Sequence, residues 1–510
     1  FILIFFFIFR KLDFKRNFSI LLALTLLSIP TIINFFDLNS FQYFNSLDNI
    51  FGLRFTRPLV VNNFLYIFIL HLIYLDREKT FNFKNFIIFG LILSFSFTSF
   101  YYFFILQIIT LLIYLFSKFR LIYLIKLRNI QFYMVSLLVF LVASAPFIYF
   151  LITSEVDYKE RLYVMDIDIN EKKILFEHLF DKLISLKFIL VFLVITSLNI
   201  ANNMLQIKNA NKINIFYFLF IASILSPFIF IVLTSKVSLI YHFTNLTVLS
   251  IFYYLFFFIV NLFNRFKKLQ NNKVIISSII FLIFFYNFNV YQNFKVKKLN
   301  DDYTKYRTGI FNATQVLKRI GREEVKLLTF DSRLMVWAIL NNVKQINVLS
   351  GQLVPKKHSM IENDLINNFK FLKLDVENFL NFFENKETEW RLFNPNTQLF
   401  FWGRYTASTL KTYKDSKDFE QNELDKIAKT TPLNVQSIAI PKGEFERLKK
   451  KFINNNDVVY NPPNIIVLNF KDKILKKSNL KKNFYCEEIS NNDIKIFTSL
   501  KLKNKCKINF

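Results

Sequence analysis

The sequence predicts a polytopic α-helical membrane protein of about ten transmembrane helices, followed by a C-terminal extracytoplasmic α/β domain. Of the 510 residues, 53% are hydrophobic and 68 are Phe, which excludes a soluble globular protein and a disordered one. Long apolar runs fill the first part of the chain, and charged residues become frequent in the second part. We therefore expect a transmembrane helical domain over residues 1–291 and an extracytoplasmic α/β domain over residues 292–510.

Hydrophobic runs define the predicted helices. A helix that crosses a membrane needs about 20 apolar residues, because the hydrocarbon core is about 30 Å thick. Runs of this kind lie at 18–36, 59–75, 132–152, 188–205, 214–234, 242–263 and 274–291, and residues 1–9 supply the end of one more. The run 86–116 is 31 residues long and predicts either one long helix or two short helices that meet near Ser99.

The charges of the loops favour two helices over residues 86–116. With two helices, one side of the membrane receives 17 Lys and Arg in 51 loop residues, and the other side receives 9 in 64. A single helix would move the basic loop 117–131 to the poorer side and weaken this bias. Because short cytoplasmic loops are rich in Lys and Arg, we expect a hairpin, with loops 37–58, 153–187 and 235–241 and the C-terminal domain on the outer face.

The outer loops carry the candidate functional residues of the membrane domain. Arg54 and Arg57 end the first outer loop, where they either anchor the next helix in the headgroup region or bind a lipid phosphate. The second outer loop holds eight Asp and Glu, which are solvated loop charges or include a site, with Asp157 and Glu160 as its candidates. His242 follows the third outer loop and either lies in the membrane interface or contributes to a site.

The charge pattern also limits the partners. No Asp, Glu, Lys or Arg lies within the predicted spans, which argues against an ion-coupled pump or a proton relay. The formal net charge is +28, but Lys is dispersed and the basic C-terminal half is expected outside the membrane, so nucleic acid is not an expected partner. The lipid bilayer, through its anionic headgroups or a lipid phosphate, is the partner that this charge favours.

The pattern after Lys295 is typical of an α/β domain with a mostly parallel sheet. Strands are predicted at 325–331, 345–349, 435–440, 458–460, 465–470 and 494–497, and helices at 295–321, 359–385, 417–429 and 443–454. The sequence contains no nucleotide-binding loop, hydrolase motif or metal-spaced His/Cys cluster. Cys486 and Cys506 are the only cysteines, and they either form a disulfide or remain separate thiols.

An aromatic segment of the C-terminal domain is the candidate for sugar or acceptor binding. Trp390, Arg391, Trp402 and Arg404 lie within sixteen residues that also include two Asn. Aromatic rings combined with guanidinium and amide donors suit sugar recognition. Packing of the outer domain onto the membrane domain would explain the same residues, so both interpretations stay open.

Short segments of the chain resemble a known family. They are RFTRP at 54–58, the aromatic hairpin around Phe97–Phe104, Ala145-Pro146, DYKER at 157–161 and Tyr241-His242-Phe243. With about ten short-looped helices and a trailing outer α/β domain, they resemble the GT-C superfamily of membrane glycosyltransferases that use polyprenyl-phosphate sugars, and more narrowly its poorly characterised bacterial members. The resemblance covers most of residues 1–300.

The resemblance implies a multi-pass enzyme of the bacterial inner (plasma) membrane with a periplasmic C-terminal domain. It would transfer a sugar from a polyprenyl-phosphate donor to a cell-envelope acceptor on the outer face. The alternative from a different class is a non-enzymatic membrane transport or envelope-assembly protein whose outer domain binds a partner. The absence of charge within the predicted spans favours the enzyme.

The resemblance also assigns roles to residues. Arg54, Arg57, Arg161 and His242 would neutralise the lipid phosphate, because the guanidinium group matches phosphate oxygens. Asp157 or Glu160 would position the acceptor or a divalent metal, and no other cofactor is expected. In this family an acidic residue of the first outer loop acts as catalytic base or metal ligand. Since the chain starts at Phe1 inside an apolar run, we expect this loop to precede Phe1. The catalytic base is therefore unknown, with Asp157 and Glu160 as the candidates.

Overall fold

The computed structural model of the protein describes residues 2–35, 59–78, 82–119, 127–153, 165–166, 169–204, 209–237, 241–265, 315, 326–331, 334–335, 338, 357–383, 406–407, 436–437, 442–455, 463–469, 474 and 494–498. Grouping of contacts divides the chain into two compact units. The first comprises Phe1–Ser154 and Asp166–Phe294, and the second comprises Glu155–Met165 and Lys295–Phe510. The described part of the chain is mostly helical.

The elements are numbered here in chain order. The described helices of the first unit are α1 (Ile2–Lys11), α2 (Arg16–Phe35), α3 (Leu59–Glu78), α4 (Phe83–Ser99), α5 (Tyr101–Lys118), α6 (Leu127–Thr153), α7 (Ile169–Ile184), α8 (Leu186–Met204), α9 (Ala210–Thr234) and α10 (Tyr241–Arg265). Those of the second unit are α11 (His358–Phe371), α12 (Val376–Phe383) and α13 (Lys442–Asn454). The described strands are β1 (Met165–Asp166), β2 (Lys236–Val237), β3 (Leu327–Thr329), β4 (Thr406–Ala407), β5 (Gln436–Ser437), β6 (Ile465–Asn469) and β7 (Ile494–Thr498).

Five of the described helices are long and apolar enough to cross a membrane. These segments are Tyr101–Lys118, Asn129–Thr153, Leu186–Met204, Ala210–Thr234 and Asn245–Leu262. Shorter apolar helical segments lie at Arg16–Leu26, Asn62–Asp76 and Phe83–Ser99. Because such helices need a hydrocarbon environment, they indicate a membrane protein. The predicted span 274–291 lies outside the described residues.

The long apolar run 86–116 forms two helices, which confirms the predicted break near Ser99. Helix α4 begins after Asn82, whose side-chain oxygen accepts a hydrogen bond from the Asn85 N–H at 2.8 Å. Phe100 separates α4 from α5 with backbone angles of φ −156° and ψ 87°, which do not fit a helix. The rings of Phe97 and Phe104 then meet at 5.2 Å across the two helices.

Aromatic rings form much of the core of the first unit. Phe257 of α10 stacks on Phe216 of α9 at 4.0 Å and on Phe9 of α1 at 5.3 Å. In the same core, the hydroxyl of Tyr253 donates a hydrogen bond of 2.6 Å to the hydroxyl of Tyr66 on α3. The abundance of Phe in the sequence is therefore used for ring packing between helices, which adds to simple burial of apolar area.

A mixed sheet lies in the second unit. Strand β6 pairs in parallel with β3, with Leu327 opposite Ile465, and antiparallel with β7, with Ile466 opposite Phe497. The strands predicted at 325–331, 465–470 and 494–497 are confirmed, and the described part of the sheet contains one parallel and one antiparallel pair. The predicted elements at 295–321, 345–349, 417–429 and 458–460 lie outside the described residues, except for the single residue Gln315.

The helix predicted over 359–385 is wrong as a single element, because the chain turns between α11 and α12. Lys373 adopts a left-handed conformation with φ 56°, which ends α11. Asp375 then caps α12, since its carboxylate accepts a hydrogen bond of 2.7 Å from the Asn378 N–H. The turn lets Phe369 and Phe379 pack against each other at 5.2 Å.

A buried carboxylate on α11 binds two cations on α13. Helix α13 itself confirms the helix predicted at 443–454. Glu362 is 0% exposed. Its two oxygens accept hydrogen bonds from both terminal nitrogens of Arg447, at 3.0 and 2.6 Å, and from the Lys451 ammonium at 2.7 Å. Two cations therefore compensate one buried anion, the arrangement that a fully desolvated carboxylate requires.

Candidate functional site

An apolar groove lies in the first unit between α5 and α6, with α4 at its base. Its volume is about 490 Å³. Helix α5 contributes Phe104, Ile108 and Leu112, and helix α6 contributes Leu137 and Phe140. Apart from Ser136 and Tyr133, the described lining residues have hydrocarbon side chains. Such a groove suits the hydrocarbon part of a ligand.

The groove exists because α6 packs much more closely against α4 than against α5. Gly90 of α4 faces the backbone of α6, where a Cβ atom in its place would lie 2.5 Å from the Ser136 carbonyl oxygen. One turn further, the hydroxyl of Ser144 donates a hydrogen bond of 2.9 Å to that of Ser94. Small residues of this kind allow close helix contact in membranes. Helices α5 and α6 are left apart and meet at Phe104 and Phe140.

Aromatic rings narrow one end of the groove. Phe104 stacks on Phe140 at 5.2 Å, and Phe97 contacts both rings from α4 at 5.2 and 5.5 Å. Phe147 adds a fourth ring, 5.9 Å from Phe97. This aromatic end lies next to the turn between α4 and α5, which is the predicted outer side of the membrane.

The rest of the groove opens sideways. Leu112 is 47% exposed and Phe116 is 59% exposed, although both line the groove. From Phe104 to Phe116 the groove follows α5 for about 18 Å, at 1.5 Å per residue. Exposed apolar side chains over such a length suit contact with the hydrocarbon of a membrane.

Helix α7, which lies in the predicted outer loop 153–187, contacts the C-terminal end of α9, just before the predicted outer loop 235–241. Phe228 of α9 contacts Phe176 at 5.6 Å and Phe180 at 5.2 Å, both on α7. The Lys172 ammonium donates a hydrogen bond of 2.7 Å to the hydroxyl of Ser235, which ends α9. Residues of two predicted outer loops therefore lie close together in the first unit.

Further ring contacts gather the helix ends at the predicted outer side. Tyr102 at the start of α5 contacts Phe243 at the start of α10 at 4.9 Å. Phe230 near the end of α9 contacts Phe243 at 5.8 Å, and Tyr101 at 5.8 Å. His242 precedes Phe243 in the first turn of α10, so its backbone lies beside this cluster of rings.

Most of the residues proposed from the sequence lie outside the described part of the chain. These are Arg54, Arg57, Asp157, Glu160, Arg161, Trp390, Arg391, Trp402 and Arg404, together with Cys486 and Cys506. The backbone of His242 is described and its side chain is not. The roles assigned to these residues therefore stay predictions.

The described residues contain no group of three or more His, Cys, Asp or Glu that could hold a metal ion. His71 of α3 is buried, its Nε2 lies 3.0 Å from the carbonyl oxygen of Asn85, and its ring contacts Phe89 at 4.5 Å. These contacts link α3 to α4, so the described role of this histidine is in helix packing. Among the described residues that line the groove there is no carboxylate, amine or imidazole.

The sequence did not reveal the groove, because nearly every position of α5 and α6 is apolar. Its lining residues recur every three or four positions, as Phe104, Ile108, Leu111 and Leu115 do on α5, but so do residues that face the core. Gly90 was the available signal, since glycine within an apolar helix often marks close helix contact. No protein-family model matches the sequence, and no curated protein or solved structure is significantly similar to the chain.

Proposed function

We propose that this chain is a membrane glycosyltransferase-like protein that transfers a sugar from a polyprenyl-phosphate donor to a cell-envelope acceptor on the outer face. The observation that carries the proposal is the apolar groove between α5 and α6, which is open along one side. A polyprenyl donor has a long hydrocarbon chain that a groove of this lining can hold. The proposal also places the protein in a bacterial inner membrane, with about ten spans and the C-terminal α/β domain in the periplasm.

The phosphate of the donor needs cations at the outer face. Arg54, Arg57, Arg161 and His242 are the proposed partners, because guanidinium groups bind phosphate oxygens in a bidentate way. In the reaction, an acceptor hydroxyl oxygen forms a bond to the anomeric carbon while the bond from that carbon to the phosphate oxygen breaks. The hydroxyl proton passes to a carboxylate base, and polyprenyl phosphate leaves with the electron pair.

The acceptor and the sugar would be held by other outer residues. Asp157 or Glu160 would orient the acceptor or bind a divalent metal. Trp390 and Trp402 would stack on sugar rings, with the neighbouring arginines as hydrogen-bond donors. These assignments depend on the resemblance and on the predicted topology, whereas the proposed seat of the hydrocarbon chain depends on the groove.

Retention of a polyprenyl phosphate by the purified full-length chain tests the groove. Leu112→Trp and Leu137→Trp each place a large ring in the groove, and Leu138→Trp is the control, because Leu138 is exposed on the same helix outside the lining. We expect native mass spectrometry of the protein in nanodiscs to show at least about tenfold weaker retention for the two groove variants than for the control. Equal retention by all three variants would remove the groove from the proposal.

A second measurement tests the chemistry. Arg54→Ala combined with Arg57→Ala should weaken binding of a polyprenyl-phosphate sugar, because the phosphate loses two cations, and should leave retention of an uncharged polyprenol unchanged. Unchanged affinity for the charged lipid would exclude both residues from the site. Transfer of labelled sugar to envelope acceptors separates the enzyme from the alternative, a transport or envelope-assembly protein, which would bind lipid without turnover.

A further inference from the structure

A cluster of buried asparagines lies where α8, α9 and α10 pack together, away from the groove. The cluster consists of Asn199, Asn202, Asn214 and Asn261, which are between 0% and 9% exposed. Asn residues are costly to bury in a membrane protein unless their amide groups have partners. Four such residues within one group of helices therefore require a physical explanation.

Contacts between α8 and α9 fix the position of two members, Asn199 and Asn214. Asn214 donates a hydrogen bond of 2.9 Å to the side-chain oxygen of Asn203, and the hydroxyls of Thr196 and Tyr217 lie 3.4 Å apart. Thr196, Asn199 and Asn203 share one face of α8, since three or four residues make one helical turn. Asn199 therefore faces α9 between these two contacts.

The remaining members close the cluster at the same end of the helices. Asn202 donates a 3.5 Å hydrogen bond to the carbonyl oxygen of Ala210, the first residue of α9. On α10, Tyr254 contacts Tyr217 at 6.0 Å between ring centroids, and Asn261 lies two turns further on the same face. Helix α9 runs antiparallel to α10, and Ala210 lies two turns before Tyr217 on α9. Asn261 therefore lies at the level of the hydrogen bond between Asn202 and Ala210.

Several polar atoms of the cluster and of the neighbouring Tyr254 have no hydrogen-bond partner among the described residues. They are the side-chain oxygens of all four asparagines, the side-chain nitrogen of Asn261 and the hydroxyl of Tyr254. An unsatisfied buried polar atom costs about 1–3 kcal/mol. The set combines acceptors with donors, and the oxygens of facing amides cannot bond to one another without a bridging donor.

We infer that bound water molecules occupy this asparagine cluster and bridge its amides. One water can donate two hydrogen bonds to amide oxygens and accept one from the Asn261 nitrogen, which is the number of bonds that buried waters usually make. An alkali cation fits less well, because it cannot accept a hydrogen bond from that nitrogen. The ammonium of Lys212, held in the first turn of α9 by the Lys11 carbonyl at 2.6 Å, would also repel a cation.

Bound water would stabilise the association of α8, α9 and α10, whatever reaction the protein carries out. In hydrocarbon, helix association depends on packing and on interhelical hydrogen bonds. Water bridges would join α10 to α8 and α9 at the predicted inner ends of the helices. The inference rests on these contacts alone and holds whether or not the chain transfers a sugar.

A substitution whose sign depends on hydration provides the first test. Asn261→Leu keeps the size of the side chain and removes both unpaired atoms. If the site were dry, the variant would be more stable, because it removes an unsatisfied amide. With bound water it should lower the thermal midpoint of the full-length protein in nanodiscs by at least about 2 °C. Ile259→Leu, on an exposed position of α10, is the control and should have no effect.

Radiolytic hydroxyl-radical labelling tests for water itself, since it oxidises side chains beside bound water. Tyr254 should be labelled several times faster than Tyr253, which is equally buried but hydrogen-bonded to Tyr66. Equal labelling of the two tyrosines would overturn the inference, as would a higher midpoint of Asn261→Leu. A midpoint that rises with sodium or potassium but not with choline would identify a cation instead of water and would also overturn it.

Discussion

Replacing Gly90 by Ala should push α4 away from α6. A Cβ atom at Gly90 would lie 2.5 Å from the Ser136 carbonyl oxygen and 2.9 Å from the Val139 Cβ atom. An ordinary contact needs about 3.4 Å, so the helices must separate by about 0.9 Å. The hydrogen bond between the Ser94 and Ser144 hydroxyls, now 2.9 Å, would then exceed a bonding distance.

Two destabilising effects and one stabilising effect determine the change in the free energy of unfolding. Overpacking costs about 1–3 kcal/mol, the lost interhelical hydrogen bond adds about 0.6 kcal/mol, and alanine favours the helix over glycine by about 1 kcal/mol. We therefore expect Gly90→Ala to destabilise the protein by about 0.6–2.6 kcal/mol. Helix propensity alone predicts the opposite sign, which makes the measurement decisive.

The thermal midpoint of the full-length protein in one detergent is a suitable readout. Gly90→Ala should lower the midpoint by about 1–4 °C. Val142→Ile adds one carbon to an exposed position of α6 and should leave the midpoint unchanged. Ser94→Ala, which removes the hydrogen bond without a clash, should have a smaller effect than Gly90→Ala. An unchanged or higher midpoint for Gly90→Ala would refute the close contact as the cause of this helix packing.

Three further predictions concern the second unit, the core of the first and the topology. Glu362→Ala leaves two cations without their buried anion and should destabilise the second unit by about 3–5 kcal/mol, seen as faster proteolysis around α11 and α13 in the full-length chain; equal cleavage rates would contradict it. Tyr66→Phe should cost more than Tyr253→Phe, about 2 against about 1 kcal/mol, because Tyr66 bonds to both Tyr253 and Asn62; thermal midpoints in the reverse order would count against this network. Alkaline phosphatase fused after residue 300 should be active, since that point is expected outside; activity of a cytoplasmic reporter there would invert the predicted orientation.

The helix break near Ser99 could be predicted, because a count of charged loop residues decided between one helix and two. Nothing in the local sequence marks the break strongly, and Phe100 is an ordinary apolar residue. The constraint came instead from the membrane, which sorts basic loops to one side. Charge sorting is a property of whole loops and is therefore readable from sequence.

Other features were not predictable, because they depend on contacts between distant residues. Helix α7 was hidden in the acidic loop 153–187, where charged residues such as Glu177 lie between its apolar positions Phe176 and Phe180. The end of α11 depends on Lys373 in a left-handed conformation, which lysine seldom adopts. The groove required knowing which of many apolar faces meets Gly90. In each case composition is uninformative and packing decides.

The proposed donor makes two different demands on the protein. Its hydrocarbon chain needs an apolar groove, and the described lining residues of the groove between α5 and α6 include no carboxylate, amine or imidazole that could act on a sugar. Its phosphate and sugar need charged groups, which the sequence places in the outer loops. The aromatic end of the groove, at Phe97, Phe104 and Phe140, lies beside the α4–α5 turn on that same predicted side. A lipid bound in the groove with its chain towards Phe116 would therefore hold its phosphate at the predicted outer side. Groove variants and arginine variants should then each weaken binding of this lipid, the former through its chain and the latter through its phosphate.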